Sequence, residues 1–432
     1  MEGAKYMSID IKEMKVKEPL VIANEEKNIF KVNRKAFTDP EIFEIEKKKI
    51  FDKCWLYIGH ESEIAKPKDF INRTVGGRPL IFNRDTDGEI HVLLNSCPHR
   101  GSIVCREHKG NSKVFQCFYH AWTFNNKGEL VGLPGKDGYP NDFNSDGSMN
   151  LQKVPRMDNY KGFYFVNFDE NAISLADYLG EAKDYFDLIV DQSETGLEVF
   201  GEGSQEYSMR CNWKLLAENA VDNYHTHPTH KTYFDYLNNT EIKVAAEPMH
   251  GIGRDLGNGH GVMEYASPWG RPVAKWIPAW GEEGKKEMEE KMDKLTARLG
   301  EERANRVAKK NRNVIVFPNL IISDIMSLTI RTFVPISPDY MEISIWALSP
   351  KEEDAATREK RLNNLVEFVG PGGFGTPDDI EALELCQEGY KNGKEAQWND
   401  ISKGMNKEIP SFDDELQMRA FWKKWNELVS EE

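Results

Sequence analysis

Two short motifs, each with one cysteine and one histidine, constrain this chain more than any other feature. Cys97-Pro-His99-Arg-Gly is followed by Cys117-Phe-Tyr-His120, and 17 residues separate His99 from Cys117. An iron–sulfur cluster with two thiolates on one iron and two imidazoles on the other needs this set of ligands. The motifs therefore predict a mixed [2Fe–2S] site that two loops share.

A zinc site with two cysteines and two histidines is the alternative. Zinc sites usually pair like ligands in each half, as C-x-x-C and H-x-x-x-H, whereas each half here is mixed. The mixed order favours the iron–sulfur cluster, in which histidine ligands raise the potential to about −150 to +300 mV. Such a centre can receive electrons from a low-potential ferredoxin.

A second dense group of possible ligands follows Asp222. Three of the ten histidines fall within six residues, at His225, His227 and His230. On a helix predicted to end near Tyr224, Asp222 and His225 share a face, and Pro228 ends the helix and turns His230 back. The arrangement suits a non-haem Fe(II) site of two histidines and one carboxylate, which leaves positions open for O₂.

Length and charge narrow the possible functions. A chain of 432 residues is long enough for two domains. The formal net charge of −15 argues against a nucleic-acid partner, which needs a basic face. The N-terminal residues lack the apolar segment of a signal peptide, and residues 314–323 are too few to span a bilayer. We therefore expect a cytoplasmic protein without membrane attachment.

The pattern of apolar residues changes along the chain. After a helical stretch at residues 39–53, short alternating runs separated by turn residues predict an all-β module over residues 40–168. These runs begin at Trp55, Pro79, Ile90, Val114 and Phe163. Residues 314–348 then predict several antiparallel strands. Helices are predicted around them at residues 212–224, 282–311 (interrupted near Gly300), 352–368 and 413–429. A sheet with helices around it is an α+β domain.

Both ligand motifs resemble those of one family. The first pair, extended to Trp122, resembles the Rieske signature in the large subunits of aromatic-ring-hydroxylating oxygenases. The segment from Asn212 to His230 resembles the catalytic-iron motif of the same family. Phe118 stands where the family commonly has proline, and Ala121 where it commonly has glycine. Neither departure removes a ligand, so we expect the cluster type to be unchanged.

The resemblance implies a fold and two sets of ligands. It implies a segment of residues 1–39, expected to be helical and to pack on the catalytic domain, a Rieske domain of residues 40–168, and a helix-grip-like catalytic domain of residues 169–432. It implies these metal ligands: Cys97, His99, Cys117 and His120 for the cluster, and His225 and His230 for the mononuclear iron. His227 is left as a neighbour.

Two aspartates gain roles from the resemblance. Asp222 is implied to bridge the iron-ligating histidine to a Rieske histidine of the adjacent subunit. Residues 370–381 resemble the family's glycine-rich turn before an acidic helix start, where the second aspartate of a pair binds iron. This choice selects Asp379, with Asp378 as the alternative ligand. An ordinary helix N-cap is the alternative interpretation of both aspartates.

The implied activity is that of a terminal oxygenase that inserts O₂ into an aromatic ring. Electrons would come from NAD(P)H through a separate flavin reductase, a ferredoxin, or both. The bridge through Asp222 implies a homotrimer, which in this family often adds a small β subunit as α₃β₃. An α₃ monooxygenase or demethylase is the alternative, and it would incorporate one ¹⁸O label per product where a dioxygenase incorporates two. A non-catalytic redox protein is less consistent with the open iron site.

Arg331 gives the clearest indication of the substrate. It lies among apolar residues of a predicted strand at residues 328–334, in the domain expected to hold the iron. If it points inward, it can pair with an aromatic carboxylate in a bidentate contact. If it points outward, it forms an ordinary salt bridge, because strand side chains alternate between faces. Members of the family that act on carboxylated rings use arginine clamps, so the resemblance implies a benzoate-, salicylate- or cumate-like acid, with an uncharged arene as the competing substrate.

Metal analysis tests both sites together. We expect purified protein to contain about three irons and two acid-labile sulfides per chain, because one [2Fe–2S] cluster and one mononuclear iron add up to these amounts. Elemental analysis with a sulfide assay measures both. One or two zinc ions without sulfide would contradict the prediction.

Overall fold

Strands predominate in the first half of the chain, and the second half combines strands with longer helices. The structure, a computed structural model, describes residues 18–240 and 249–430. Its strands are β1 (Val21–Asn24), β2 (Ile29–Asn33), β3 (Leu56–His60), β4 (Asp69–Val75), β5 (Arg78–Arg84), β6 (Ile90–Leu94), β7 (Lys109–Asn111), β8 (Val114–Gln116), β9 (Thr123–Asn125), β10 (Leu130–Gly132), β11 (Arg156–Tyr160), β12 (Phe163–Asn167), β13 (Leu197–Met209), β14 (Gly251–Asp255), β15 (Gly261–Ala266), β16 (Lys310–Val316), β17 (Leu320–Asp324), β18 (Leu328–Ser337), β19 (Tyr340–Pro350) and β20 (Trp398–Asp400). Its α-helices are α1 (Lys35–Thr38), α2 (Pro40–Glu46), α3 (Leu175–Leu179), α4 (Ala182–Val190), α5 (Trp213–Asn219), α6 (Thr226–Thr229), α7 (Lys231–Asn238), α8 (Gly281–Leu299), α9 (Glu301–Lys309), α10 (Ala355–Asn364), α11 (Gly375–Gly389) and α12 (Leu416–Ser430).

Three small antiparallel sheets form the N-terminal β region. Their strand orders are β6-β5-β4-β7, β11-β12-β3 and β10-β9-β8. The strands predicted to begin near residues 55, 79, 90, 114 and 163 are confirmed as β3, β5, β6, β8 and β12. A separate apolar cluster that includes Cys97, Cys117 and Trp122 lies beneath the two cysteine loops. These loops therefore rest on a packed base.

One large antiparallel sheet organises the C-terminal region. Its order is β13-β19-β18-β17-β16-β15-β14. Helix α12 packs on β14 and β15, and α5 packs on β18. Helices α8 and α9 are separated at Gly300, as predicted, where φ is +78°. The α+β fold class is confirmed. None of the helices in residues 18–240 and 249–430 has the length and hydropathy of a membrane-spanning segment.

The prediction of a helical segment over residues 1–39 is wrong for most of its described part. Strands β1 and β2 form an antiparallel hairpin, and β2 also pairs with β20 from the C-terminal region. Phe30 and Val32 are fully buried and two residues apart, which is the period of a strand. Residues 1–17 lie outside the described residues. The boundaries at residues 39 and 168 stay predictions.

A buried carboxylate joins three helices. The Glu46 side chain at the end of α2 accepts hydrogen bonds from Lys214 Nζ at 2.5 Å, Trp213 Nε1 at 2.9 Å and Trp425 Nε1 at 2.7 Å. Glu46 and Lys214 are both 0% exposed. Since a buried charge is stable only when it is paired and hydrogen-bonded, these contacts fix α5 against α2 and α12.

Removal of the Lys214 charge should destabilise the chain strongly. Lys214→Met leaves the Glu46 carboxylate buried without its cation, and we expect the free energy of unfolding to fall by about 3–5 kcal/mol. Urea unfolding followed by tryptophan fluorescence measures this change. Adding Glu46→Gln should restore part of the loss, because a neutral amide is easier to bury. An unchanged midpoint in Lys214→Met would contradict the assigned role, and the exposed Lys286→Met is the matched control.

Candidate metal centres and cavity

The two cysteine–histidine loops have the same local geometry. In the first, the Gly101 N–H donates to the Cys97 carbonyl at 2.7 Å, and in the second the Ala121 N–H donates to the Cys117 carbonyl at 2.9 Å. Gly101 has φ of +73° and Ala121 has φ of +57°. Both cysteines are buried. Each loop is therefore a tight turn that closes four residues after its cysteine.

The turn geometry explains one departure from the family pattern. A φ of +57° at Ala121 lies in the left-handed region, where glycine has no Cβ penalty. Alanine at this position keeps the turn, because the backbone hydrogen bonds on either side of it are made: Ala121 N–H to Cys117, and Cys117 N–H to the Trp122 carbonyl at 2.8 Å. The substitution therefore introduces local strain without displacing the cysteine or the histidine.

The four predicted cluster residues come together. The His99 and His120 rings lie 4.5 Å apart between centroids, and His99 stacks on Trp122 at 4.8 Å. Burial raises the pKa of the Cys97 thiol, and the nearby Cys117 thiol adds to the shift. Burial and the neighbouring charges of His99 and Arg100 lower the pKa of His120, which favours the neutral imidazole that ligates metals.

A second group converges in the C-terminal region. His225 Nε2 lies 3.3 Å and His230 Nε2 lies 3.5 Å from the same Asp379 oxygen, Oδ1. The ligand atoms of these three residues lie within 4.8 Å of one another. Two imidazoles and one carboxylate around a common point fit a mononuclear metal ion with open coordination positions.

The local path of the chain differs from the prediction. Helix α5 ends at Asn219, and a turn follows in which Asp222 Oδ1 accepts the Tyr224 N–H at 2.8 Å. This turn, and not a shared helix face, brings Asp222 Oδ2 to 3.1 Å from His225 Nδ1. Pro228 lies inside the short helix α6 and does not end a helix. Aspartate stabilises such turns because its side chain can bond the backbone two residues later.

Asp379 is not an N-cap. Helix α11 begins at Gly375, four residues before Asp379, and its N-terminal position, Phe374, makes no side-chain cap. The helix turns Asp379 toward both histidines, whereas Asp378 faces His230 Nδ1 at 3.4 Å. A Cβ at Gly375 would lie 2.7 Å from the Phe368 ring, so the glycine permits the close packing that sets the start of the helix.

The electrostatics of this group favour a cation. Burial would lower the pKa of His225, but its hydrogen bonds to Asp222 and Asp379 outweigh burial and raise that pKa to about 10. Burial would raise the pKa of Asp379, but the bond to His225 and the charges of His225, His230 and Arg331 lower it. A centre that retains a proton this strongly can hold a metal ion in its place.

Asn219 is a neighbour that the sequence did not single out. Its Nδ2 lies 3.2 Å from Asp379 Oδ1, to which it donates, and 3.2 Å from His225 Nε2. Asn219 lies within the motif from Asn212 to His230, and this position was the sequence signal that could have identified it as a site residue. His227 is directed elsewhere, with its ring 4.7 Å from that of Phe234, and it is not part of the convergent group.

A cavity of about 350 Å³ opens beside this group. Its walls are mainly apolar and aromatic, with Trp269, Trp280, Ile321, Met326 and Phe368 among them. The remaining predicted residue, Arg331, also lines it. The volume suits a small organic ligand.

The Arg331 side chain points into the cavity without a partner. On β18 it pairs with Ile321 of β17, which lines the same cavity. Within residues 18–240 and 249–430, its guanidinium makes no hydrogen bond or ion pair, although its charge acts on Asp379 and Tyr207. Of the two orientations left open by the sequence, the inward one is observed.

Two family models match this chain. A model described as the Rieske [2Fe-2S] domain matches residues 54–155, and one described as the ring hydroxylating alpha subunit catalytic domain matches residues 197–431. The second match covers more than half of the chain. The two matches together contain all the predicted ligand residues.

Curated relatives and solved structures extend this likeness over most of the chain. Toluate 1,2-dioxygenase subunit alpha of Pseudomonas putida is 35% identical, with 90% of this chain and 84% of the relative covered. The 2-halobenzoate 1,2-dioxygenase large subunit of Burkholderia cepacia is 34% identical, with 89% and 82% covered. Naphthalene 1,2-dioxygenase from Rhodococcus sp. has a TM-score of 0.78 and 29% identity, with 93% and 94% covered. Both family models match, and the two dioxygenase relatives are 35% and 34% identical over 84% and 82% of their lengths. This chain therefore belongs to the Rieske aromatic-ring-hydroxylating dioxygenases, as an alpha subunit.

Proposed function

We propose that this chain is the terminal oxygenase component of a multicomponent system that inserts O₂ into a carboxylated aromatic ring of the benzoate, salicylate or cumate type. Arg331, which lines the cavity beside the His225–His230–Asp379 group and has no hydrogen-bond or ion-pair partner within residues 18–240 and 249–430, carries the proposal. A half-buried guanidinium at a mainly apolar cavity is best satisfied by a carboxylate, which it can bind through two parallel hydrogen bonds. The relatives named for toluate and 2-halobenzoate support this substrate class.

Seven side chains are proposed to hold the two cofactors. Cys97, Cys117, His99 and His120 would hold the [2Fe–2S] cluster, and His225, His230 and Asp379 the mononuclear iron. When bound, these groups supply electrons and a place for O₂ to be reduced next to the substrate. Asn219 donates to Asp379 and so orients its carboxylate.

Asp222 is proposed to connect the two centres. It accepts the His225 Nδ1–H, which fixes the ring so that Nε2 faces Asp379. Its side chain is 21% exposed, and the adjacent Tyr224 is 61% exposed, so a neighbouring chain can reach it. A Rieske histidine of the adjacent subunit, corresponding to His99 or His120, would donate to its carboxylate. A homotrimer, with or without a small β subunit, provides this contact.

Electrons would reach the cluster from NAD(P)H through a separate flavin reductase, a ferredoxin, or both. The exposed Phe118 and Tyr119 beside the cluster loops leave this surface open to a partner. Aromatic walls around the substrate ring exclude water and orient it against the iron site. The products would carry both oxygen atoms of O₂.

Asp222→Asn should separate electron transfer from cofactor binding. The amide cannot accept the His225 proton and a second donor in the same way, so we expect product formation to fall by about 10- to 100-fold or more while the iron and sulfide contents persist. Single-turnover assays with a pre-reduced cluster measure its reoxidation in the presence of substrate and O₂. Wild-type turnover would refute the bridging role. His227→Gln, outside the ligand group, is the matched control.

Arg331→Ala should discriminate between charged and uncharged substrates. Loss of a charge-assisted contact is expected to raise the KM for benzoate by about 10- to 100-fold and to affect benzene much less. Steady-state kinetics with both compounds measure the difference. Arg331→Lys should give an intermediate KM, because it keeps the charge and loses the planar fork. Equal effects on both substrates, or a wild-type preference for benzene, would favour the uncharged-arene alternative.

A further inference from the structure

The sheet wall of the cavity carries more polar groups than a carboxylate alone requires. Asn313 on β16 is directly opposite Ser323 on β17, and Ile321, two residues before Ser323, is opposite Arg331 on β18. Residues two apart on a strand share a face. Asn313, Ser323 and Arg331 therefore form a polar strip across three adjacent strands, and all three line the cavity.

Within the described part of the chain, none of the three side chains in this strip has a hydrogen-bond partner. Among residues 18–240 and 249–430, Asn313 Oδ1 is buried without a hydrogen bond, and Trp269 Nε1 on the same cavity wall is also buried and unpaired. Buried polar atoms in folded proteins are nearly always hydrogen-bonded, and an unpaired one needs an explanation. Two such atoms on one cavity wall indicate a ligand that can donate and accept hydrogen bonds.

The opposite face of the same strands behaves differently. There, Glu264, Arg312 and Asp324 are cross-strand neighbours, and Arg312 binds both carboxylates at 2.8 Å. These charges are buried and satisfied by each other. The charged residues of that face are therefore paired with one another, whereas the polar strip of Asn313, Ser323 and Arg331 lies on the face that lines the cavity, beside the candidate iron site.

We propose that Asn313, with Ser323 and Trp269, is a specificity subsite for a hydroxyl or amino substituent on the ring of the aromatic acid. This inference rests on the proposed function, in which Arg331 binds the carboxylate. A hydroxyl or amino group can donate to Asn313 Oδ1, and the hydroxyl oxygen can accept from Trp269 Nε1. A methyl group or halogen of similar size cannot satisfy the amide, so such analogues should be rejected.

Competing substrates of matched size test the subsite in the complete enzyme. The probes are benzoate and the isomers of hydroxybenzoate, aminobenzoate, methylbenzoate and chlorobenzoate, assayed for kcat/KM with product formation coupled to O₂ uptake. We expect the best hydroxy or amino isomer to exceed its methyl and chloro counterparts by about tenfold or more. Equal kcat/KM values across these isomers would overturn the proposal.

Substitutions in the subsite then show which residues cause the preference for hydroxy- or amino-substituted acids. Asn313→Leu keeps the shape of the side chain and removes its hydrogen bonds, and the ratio of kcat/KM between substituted acid and methyl analogue should fall about tenfold. Ser323→Ala, a smaller change that is less disruptive to packing, should lower the same ratio to a lesser extent. Ile321→Leu, on the same strand face as Ser323, is the control and should change kcat/KM for both substrates to the same extent. An unchanged ratio in both polar variants, with the cluster spectrum intact, would overturn the assignment.

The outcomes separate this inference from the proposed function. If aromatic acids are oxidised and Arg331→Ala raises their KM, but ring substituents and Asn313→Leu have no selective effect, only the subsite is refuted. If no aromatic acid is oxidised while an uncharged arene is, both proposals are refuted.

Discussion

The buried Glu46 carboxylate is the interaction on which the geometry of the iron site depends. It binds Lys214 and Trp213 at the start of α5 and Trp425 in α12, so it fixes the helix whose last residue is Asn219. The turn with Asp222 and His225 begins directly after this helix. A carboxylate buried away from water is stable only when it is paired and hydrogen-bonded. The contacts of Glu46 therefore hold α5, and the turn that follows it, in a defined position.

The large sheet separates structural charges from functional ones. On one face, Arg312 is fully buried between Glu264 and Asp324, and Arg271 adds a further bond to Asp324 at 2.6 Å. On the other face, Arg331 lies beside the cavity and has no hydrogen-bond or ion-pair partner among the described residues. The alternation of side chains along each strand places both environments on opposite faces of one sheet. The paired face stabilises the sheet, and the unpaired face remains available to a ligand.

Helix α11 and the turn after α5 supply complementary halves of the iron site. The turn holds two imidazoles that need a cation or a proton between them and Asp379, and the raised pKa of His225 reflects this requirement. Asn219 and Asp222 orient the carboxylate and the imidazole from either side. Asp222 therefore holds His225, and Asn219 holds Asp379, in the convergent arrangement beside the cavity.

The candidate metal ligands, the two-region α+β organisation and most strands of the β region could be predicted from the sequence. Both features can be recognised in a sequence, because ligands within one loop have a fixed spacing and strands alternate apolar and polar residues with a period of two. Two local predictions were wrong. The hairpin of residues 21–33 was missed because β2 pairs with β20, which is remote in sequence. The helix predicted to end near Tyr224 ends at Asn219, because a turn stabilised by Asp222 follows it. For Asp379 the residues alone favoured an ordinary helix N-cap, and only the family resemblance selected it as a ligand. Which face Arg331 occupies, and that Asn313 lacks a partner, were decided by the tertiary structure, because both depend on packing between strands and helices far apart in the chain.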